Sequence, residues 1–100
     1  MTLQQMEYIV ALDTHRHFVR AAEACFVTQP TLTMQVKKLE DETGIVVFDR
    51  DKKPLEPTPA GKEMIARARE ILRQVKGLRE FIQEEKEEIK GTFRIGIIPT

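Results

Sequence analysis

After Pro59, no proline interrupts the chain until residue 99, and Met64, Ala68, Ile71, Val75, Leu78, Ile82 and Ile89 recur at steps of four, three, four, three, four and seven. An α-helix brings residues three and four apart onto one side, so this spacing draws an apolar seam along a single long helix. Glu85 holds the one seam position that is not apolar. Thr58 offers a side-chain oxygen to the first turn, and Pro59 has a φ angle already suited to the first helical position. The helix is therefore expected to start there and to run to about Lys90, where Gly91 ends it. Thirty residues make a rod of about 45 Å, too long to be buried along its length by the small remainder of the chain. Such a seam calls for a second helix, and these seven residues are expected to pair two copies of the chain.

One hundred residues, 41% hydrophobic and 32% charged, suffice for one small core and no separate substrate domain. Ahead of the rod, Leu3, Met6, Ile9 and Val10 mark a first amphipathic helix over residues 3–14, with Thr2 and Gln5 spaced as a capping box. After His15-Arg16-His17, the set Phe18, Ala21, Ala22 and Cys25 marks a short second helix. Residues 26–28 connect it to a third, which Thr28 caps, Pro30 enters in its first turn, and Leu32, Val36 and Leu39 anchor to the core. Gly44 suits the left-handed position at its end. Residues 45–48 are β-branched and aromatic, and Leu55-Glu56 is a second extended piece beyond the turn at residues 51–54, so a small hairpin is expected. The fold expected is mainly α: a winged helix-turn-helix of three helices and a two-stranded wing over residues 1–57, then a linker and dimerisation helix over 58–90. The apolar strand from Thr92 to Thr100 has no partner strand here, so residues 91–100 are expected to open a further α/β domain.

Several functions are excluded at this level. The longest apolar runs fall far short of the roughly 20 residues that span a bilayer, so no membrane partner is expected. The N-terminus has no basic-then-apolar leader, and the single Cys25 cannot form an internal disulfide, which points to a cytoplasmic setting. Cys25 lies seven residues after Phe18 on the buried stripe and is read as packing rather than redox chemistry. His15 and His17 lack a nearby third ligand, so no metal site is expected. The chain contains no serine and no glycine-rich phosphate loop, and both histidines lie in one turn. No catalytic set and no cofactor are expected, and the chain is not read as an enzyme.

Lysine plus arginine number 16 and so do aspartate plus glutamate, so overall charge gives no hint of nucleic acid. Local placement does. In a helix-turn-helix the third helix enters the major groove, its first turn against base edges. With Leu32 at the centre of the buried face, the opposite face carries Pro30, Thr33, Met34, Lys37 and Lys38, with Thr28, Gln29 and Thr31 at the start. Gln29 alone in that turn offers both an amide donor and an acceptor, the pair that recognises adenine, and is expected to read bases. Thr31 and Thr33 can bond phosphates or bases, Met34 can meet a thymine methyl, and Lys37 and Lys38 can neutralise phosphates. Arg50, Lys52 and Lys53 crowd the hairpin tip, where a wing straddles the backbone and arginine enters the narrow minor groove. Asp49 and Asp51 mask this cluster in any sum of charges.

These residues also carry a resemblance. Phe18-Val19-Arg20-Ala21-Ala22, Thr28-Gln29-Pro30-Thr31-Leu32-Thr33, Val36-Lys37-Lys38-Leu39-Glu40 with Gly44, Val47-Phe48-Asp49-Arg50 and Thr58-Pro59-Ala60-Gly61 resemble the N-terminal domain of LysR-type transcriptional regulators. The resemblance implies a winged helix-turn-helix, a linker helix that dimerises, a following two-lobed effector domain, and a tetramer in the full protein. It places Gln29, Pro30, Thr33 and Arg50 where that family touches DNA. The chain departs from the family at Thr33 and Met34, where serine and arginine are frequent; the hydroxyl is kept and the charge at position 34 is lost. His15-Arg16-His17-Phe18, Ala21-Ala22 with Cys25, and residues 95–100 resemble the hydrogen-peroxide-responsive branch, the OxyR-like regulators, whose sensing cysteines lie in the effector domain.

The expected function is thus sequence-specific binding of double-stranded DNA at a partly palindromic operator, by a homodimer joined through the linker helix, in control of a peroxide response. RNA polymerase is a candidate further partner. Two alternatives stay open: a regulator of the same family that senses a small metabolite, and a dimerisation or protein-interaction module without specific DNA binding.

Overall fold

The computed structural model describes residues 1–94, with side chains to residue 89. Its elements run α1 (Leu3–His15), α2 (Phe18–Ala24), α3 (Gln29–Thr43), β1 (Phe48–Asp49), β2 (Glu56–Pro57) and α4 (Pro59–Arg94). Three short helices and a two-stranded antiparallel wing, with Phe48 opposite Pro57 and Asp49 opposite Glu56, form the winged helix-turn-helix, and α4 leads away from it.

Local chemistry sets each boundary. The Gln5 N–H donates to Thr2 Oγ1 and the Thr2 N–H to Gln5 Oε1, both at 3.0 Å, so the capping box is complete. The buried face of α1 is Gln5, Met6, Tyr8, Ile9 and Leu12, whereas Leu3, expected on the apolar stripe, is exposed. α1 ends at Arg16 in the left-handed region, with its N–H on Leu12 O. His17 Nδ1 then accepts from the Arg20 N–H and caps α2. At the far end of α2, the Val27 N–H reaches back to Ala22 O and the Phe26 N–H to Glu23 O. That pair of bonds is the Schellman arrangement, which needs a left-handed residue between them, and Phe26 supplies it at φ 59. Thr28 caps α3, Pro30 occupies its first turn and Gly44 closes it at φ 73.

The core collects Tyr8, Ile9, Leu12, Leu32, Val36, Leu39, Val47 and Phe48, each almost fully buried. α4 adds Ile65 and Ala68, with Met64 and Leu72 packed against the edge. The first turns of α4 therefore complete the core of the helix-turn-helix. Polar bonds fix the same join: Asp13 at the end of α1 takes Arg69 of α4 at 2.8 Å and Arg16 at 3.0 Å, and Arg16 also donates to Leu55 O at the wing.

Two expectations are corrected. The wing is shorter than the sequence suggested, because residues 45–47 do not pair as a strand. Side chains take much of the backbone there instead: Glu40 Oε2 accepts the Val47 N–H at 2.8 Å and the adjoining Phe48 N–H at 3.3 Å, and the Thr58 hydroxyl donates to Val46 O at 2.5 Å, while Val47 O accepts the Thr58 N–H. The helix also does not stop at Gly91 but continues through Thr92 and Phe93 to Arg94. A glycine inside a helix costs only about 1 kcal/mol relative to alanine, too little to end a helix of this length. The rest of the expected strand, residues 95–100, lies outside the described residues.

Candidate nucleic-acid interface

α3 is held by its buried stripe, so the residues opposite are presented outward in a fixed register. Gln29, Pro30, Met34, Lys37 and Lys38 are exposed, Met34 at 61%. Gln29 lines one cleft together with Arg50, Lys52 and Lys53 of the wing and with Arg16 and His17 between α1 and α2. Four cations line this cleft and no carboxylate does. Arg16 and Arg50 are paired with Asp13 and Glu40, so the positive charge in this cleft beside the first turn of α3 rests chiefly on Lys52 and Lys53, which can attract a phosphate backbone.

Individual placements refine the expectations. The Thr28 hydroxyl is occupied as the cap: it accepts from the Thr31 N–H at 3.4 Å and donates to Thr31 Oγ1 at 2.9 Å. Thr31 is half-buried, so these two threonines hold the helix start and present less to a ligand than Gln29 does. The Thr33 hydroxyl oxygen is buried without a hydrogen-bond partner. A bond from it to a phosphate or base therefore requires rotation about χ1. Lys37 pairs with Asp41 at 3.5 Å across one helical turn, a surface contact of no more than about 1 kcal/mol that a phosphate can replace.

Arg50 is tied down more firmly. One of its guanidinium nitrogens lies 3.0 Å from Glu40 Oε1, and the guanidinium carbon lies 5.9 Å from the centre of the Phe18 ring. Glu40 is only 7% exposed. Neither contact was anticipated from the sequence, although a signal was present: Glu40 falls eight residues after Leu32, on the buried stripe itself, where a charge needs a partner.

The seam residues divide along α4. Ala68 is buried in the chain's own core and Met64 packs against it, so these two are already covered within one copy. Ile71, Leu78, Ile82 and Ile89 are 40–58% exposed and Val75 is half-buried. Phe81, absent from the expected seam, is 56% exposed. Among the described residues, no helix is long and apolar enough to cross a membrane. Cys25 is half-buried at the end of α2, and burial, with Glu7 nearby, pushes its thiol above the usual range. That raises the fraction held as unreactive thiol and agrees with a packing role.

Comparison with known proteins places this geometry. The family model for bacterial regulatory helix-turn-helix proteins of the lysR family matches residues 3–62. The DNA-binding transcriptional dual regulator OxyR of Escherichia coli K12 is 45% identical over all 100 residues, which correspond to 33% of that protein. The chain thus spans about a third of the curated relatives it matches. A full-length OxyR variant from Pseudomonas aeruginosa superposes with a TM-score of 0.80 at 49% identity, covering 84% of this chain and 28% of that one. The BenM DNA-binding domain in complex with benA site 1 DNA superposes with a TM-score of 0.81 at 30% identity, covering 84% and 94%. The winged fold, the match over residues 3–62 and the identity along the whole length agree, and the chain belongs to the LysR family of bacterial helix-turn-helix transcription regulators, which are not enzymes.

Proposed function

We propose that this chain binds a partly palindromic DNA operator as a homodimer and serves a regulator that responds to hydrogen peroxide. The carrying observation is the exposed Gln29 facing a cationic wing across one cleft, on a fold shared with a relative crystallised on DNA. In this reading Gln29 reads a base in the major groove, with Pro30 and Met34 giving apolar contact beside it and Thr31 and Thr33 secondary bonds. Lys37 and Lys38 hold one strand, and Arg50, Lys52 and Lys53 hold the backbone next to the wing. Residues 1–57 carry recognition. The exposed part of α4 pairs two copies through Ile71, Val75, Leu78, Ile82 and Ile89, spacing two recognition helices for two half-sites. Residues 91–100 lead into an effector domain that senses the signal, with tetramer assembly and contact with RNA polymerase belonging to the full protein.

Support for peroxide as the signal is the 45% identity to proteins named as hydrogen peroxide-inducible genes activators, among them that of Pectobacterium carotovorum. The test is affinity selection of the chain on sheared genomic DNA, sequenced at two salt concentrations. An interrupted inverted repeat beside peroxide-defence genes is the expected result. The same repeat beside catabolic operons keeps the regulator and removes peroxide, and recovery of no repeat returns the chain to a protein-interaction role.

A further inference from the structure

A carboxylate with two jobs sits at the C-terminal half of α3. Glu40 Oε2 accepts the Val47 and Phe48 N–H groups, which fixes the strand leading into the wing, and Glu40 Oε1 forms an ion pair with Arg50 at 3.0 Å, which restrains the side chain at the wing's tip. The two oxygens thus join the recognition helix to the backbone and to the cation of the wing. Two N–H donors and one paired cation offset the removal of this carboxylate from water.

We propose that Glu40 is the positioning residue of the interface: it acts through Arg50, holding the guanidinium in the orientation in which it meets a DNA phosphate while α3 lies in the major groove. The inference rests on the DNA-binding reading above and deepens it. A guanidinium has five N–H donors in a planar fork, so pairing one of its nitrogens with Glu40 leaves others free for an incoming phosphate. The Phe18 ring, 5.9 Å away, limits the third dimension. Arg50 is 36% exposed, open enough to be reached and confined enough to lose little rotamer freedom on binding. Confining one such side chain before binding corresponds to about a three- to tenfold gain in affinity. The fixed distance between wing and helix adds a second effect, since Gln29 and Arg50 then reach base and phosphate together.

The test is a double-mutant cycle on the chain, using a duplex recovered by the genomic selection and a scrambled duplex of equal length. Glu40→Gln keeps a side-chain carbonyl to accept the Val47 and Phe48 N–H groups but removes the charge that holds Arg50. It is expected to weaken binding three- to tenfold while leaving the log–log salt slope nearly unchanged, because Arg50 still meets the phosphate once it is ordered. Arg50→Ala is expected to lower the slope by about 0.9, the value of one phosphate contact, and the double variant to lose no more than Arg50→Ala alone. A purely structural glutamate would lower the melting temperature and make the two losses multiplicative, which overturns the proposal. If Glu40→Gln does not fold, the nitrogen-15 relaxation of the Arg50 Nε–H in the unmodified chain decides: an ordered group supports the proposal and a freely moving one overturns it. Failure of the unmodified chain to prefer the selected duplex over the scrambled one overturns the DNA reading itself and is seen in the control before any variant is compared.

Discussion

Phe26 holds a left-handed backbone at φ 59 while 95% of its surface meets solvent. A bulky L-residue there costs roughly 1–2 kcal/mol relative to glycine, part of which glycine returns through its greater freedom when unfolded. With no packing to lose, Phe26→Gly is expected to stabilise the chain by about 0.5–1 kcal/mol in denaturant melts. Destabilisation would show that the ring makes a contact in solution. Cys25 gives a second expectation at this scale. Its thiol is shifted upward by burial and by Glu7, so alkylation by iodoacetamide at neutral pH should be slower than for a free cysteine. The sign for stability follows: this contribution is complete below the unfolded thiol pKa and is lost as pH rises through the higher folded value, so stability should fall in the alkaline range. Equal alkylation rates in the folded chain and a free thiol would contradict the packing role. The structure also explains Gly61, in the first turn of α4, where any side chain would collide with Val47 O. Gly61→Ala is therefore expected to destabilise by about 1–3 kcal/mol, measured by thermal unfolding.

The helices were legible in the sequence because their signals are local. Thr2 with Gln5, Thr28 with Pro30, and Thr58 with Pro59 each marked a start, and Gly44 marked an end. The wing was less legible, since the atoms that terminate it belong to Glu40 and Thr58, seven to twelve residues away. On α4 the apolar spacing showed a stripe but not which neighbour covers it: α1 and the core take Ile65 and Ala68, and the stripe opens only beyond them. That division makes a prediction for the element. Leu78, 58% exposed on the open stretch, is free of the chain's own core. Leu78→Glu should leave the fold intact by circular dichroism, yet abolish dimers in sedimentation and weaken DNA binding at least tenfold, since an unpaired charge would be buried in the seam. An unchanged dimer would move the interface to another face.

At the scale of the molecule, the winged body and α4 extend 67 Å in the longest direction, with one core at one end. An exposed helical stripe on a small body makes sense if a second copy covers it, and two copies then present two cationic clefts. Lys37, Lys38, Arg50, Lys52 and Lys53 from each of two chains allow up to about ten phosphate contacts, for a salt slope approaching about −9. The exposure of the candidate site was readable from residue types: Gln29, the two lysines of α3 and the basic tip all emerge on the outer surface. What composition could not show was the restraint on Arg50, which depends on Glu40 and Phe18 from other segments, or the burial of the Thr33 hydroxyl oxygen. The central claim, that α3 reads sequence through Gln29, is tested most directly by titrating the unmodified chain and Gln29→Ala against the selected duplex and its single-base-pair variants. The account predicts that the unmodified chain discriminates at one base pair per half-site by about 1–3 kcal/mol and that Gln29→Ala loses that discrimination there and nowhere else. Discrimination that survives the substitution at every position would contradict it.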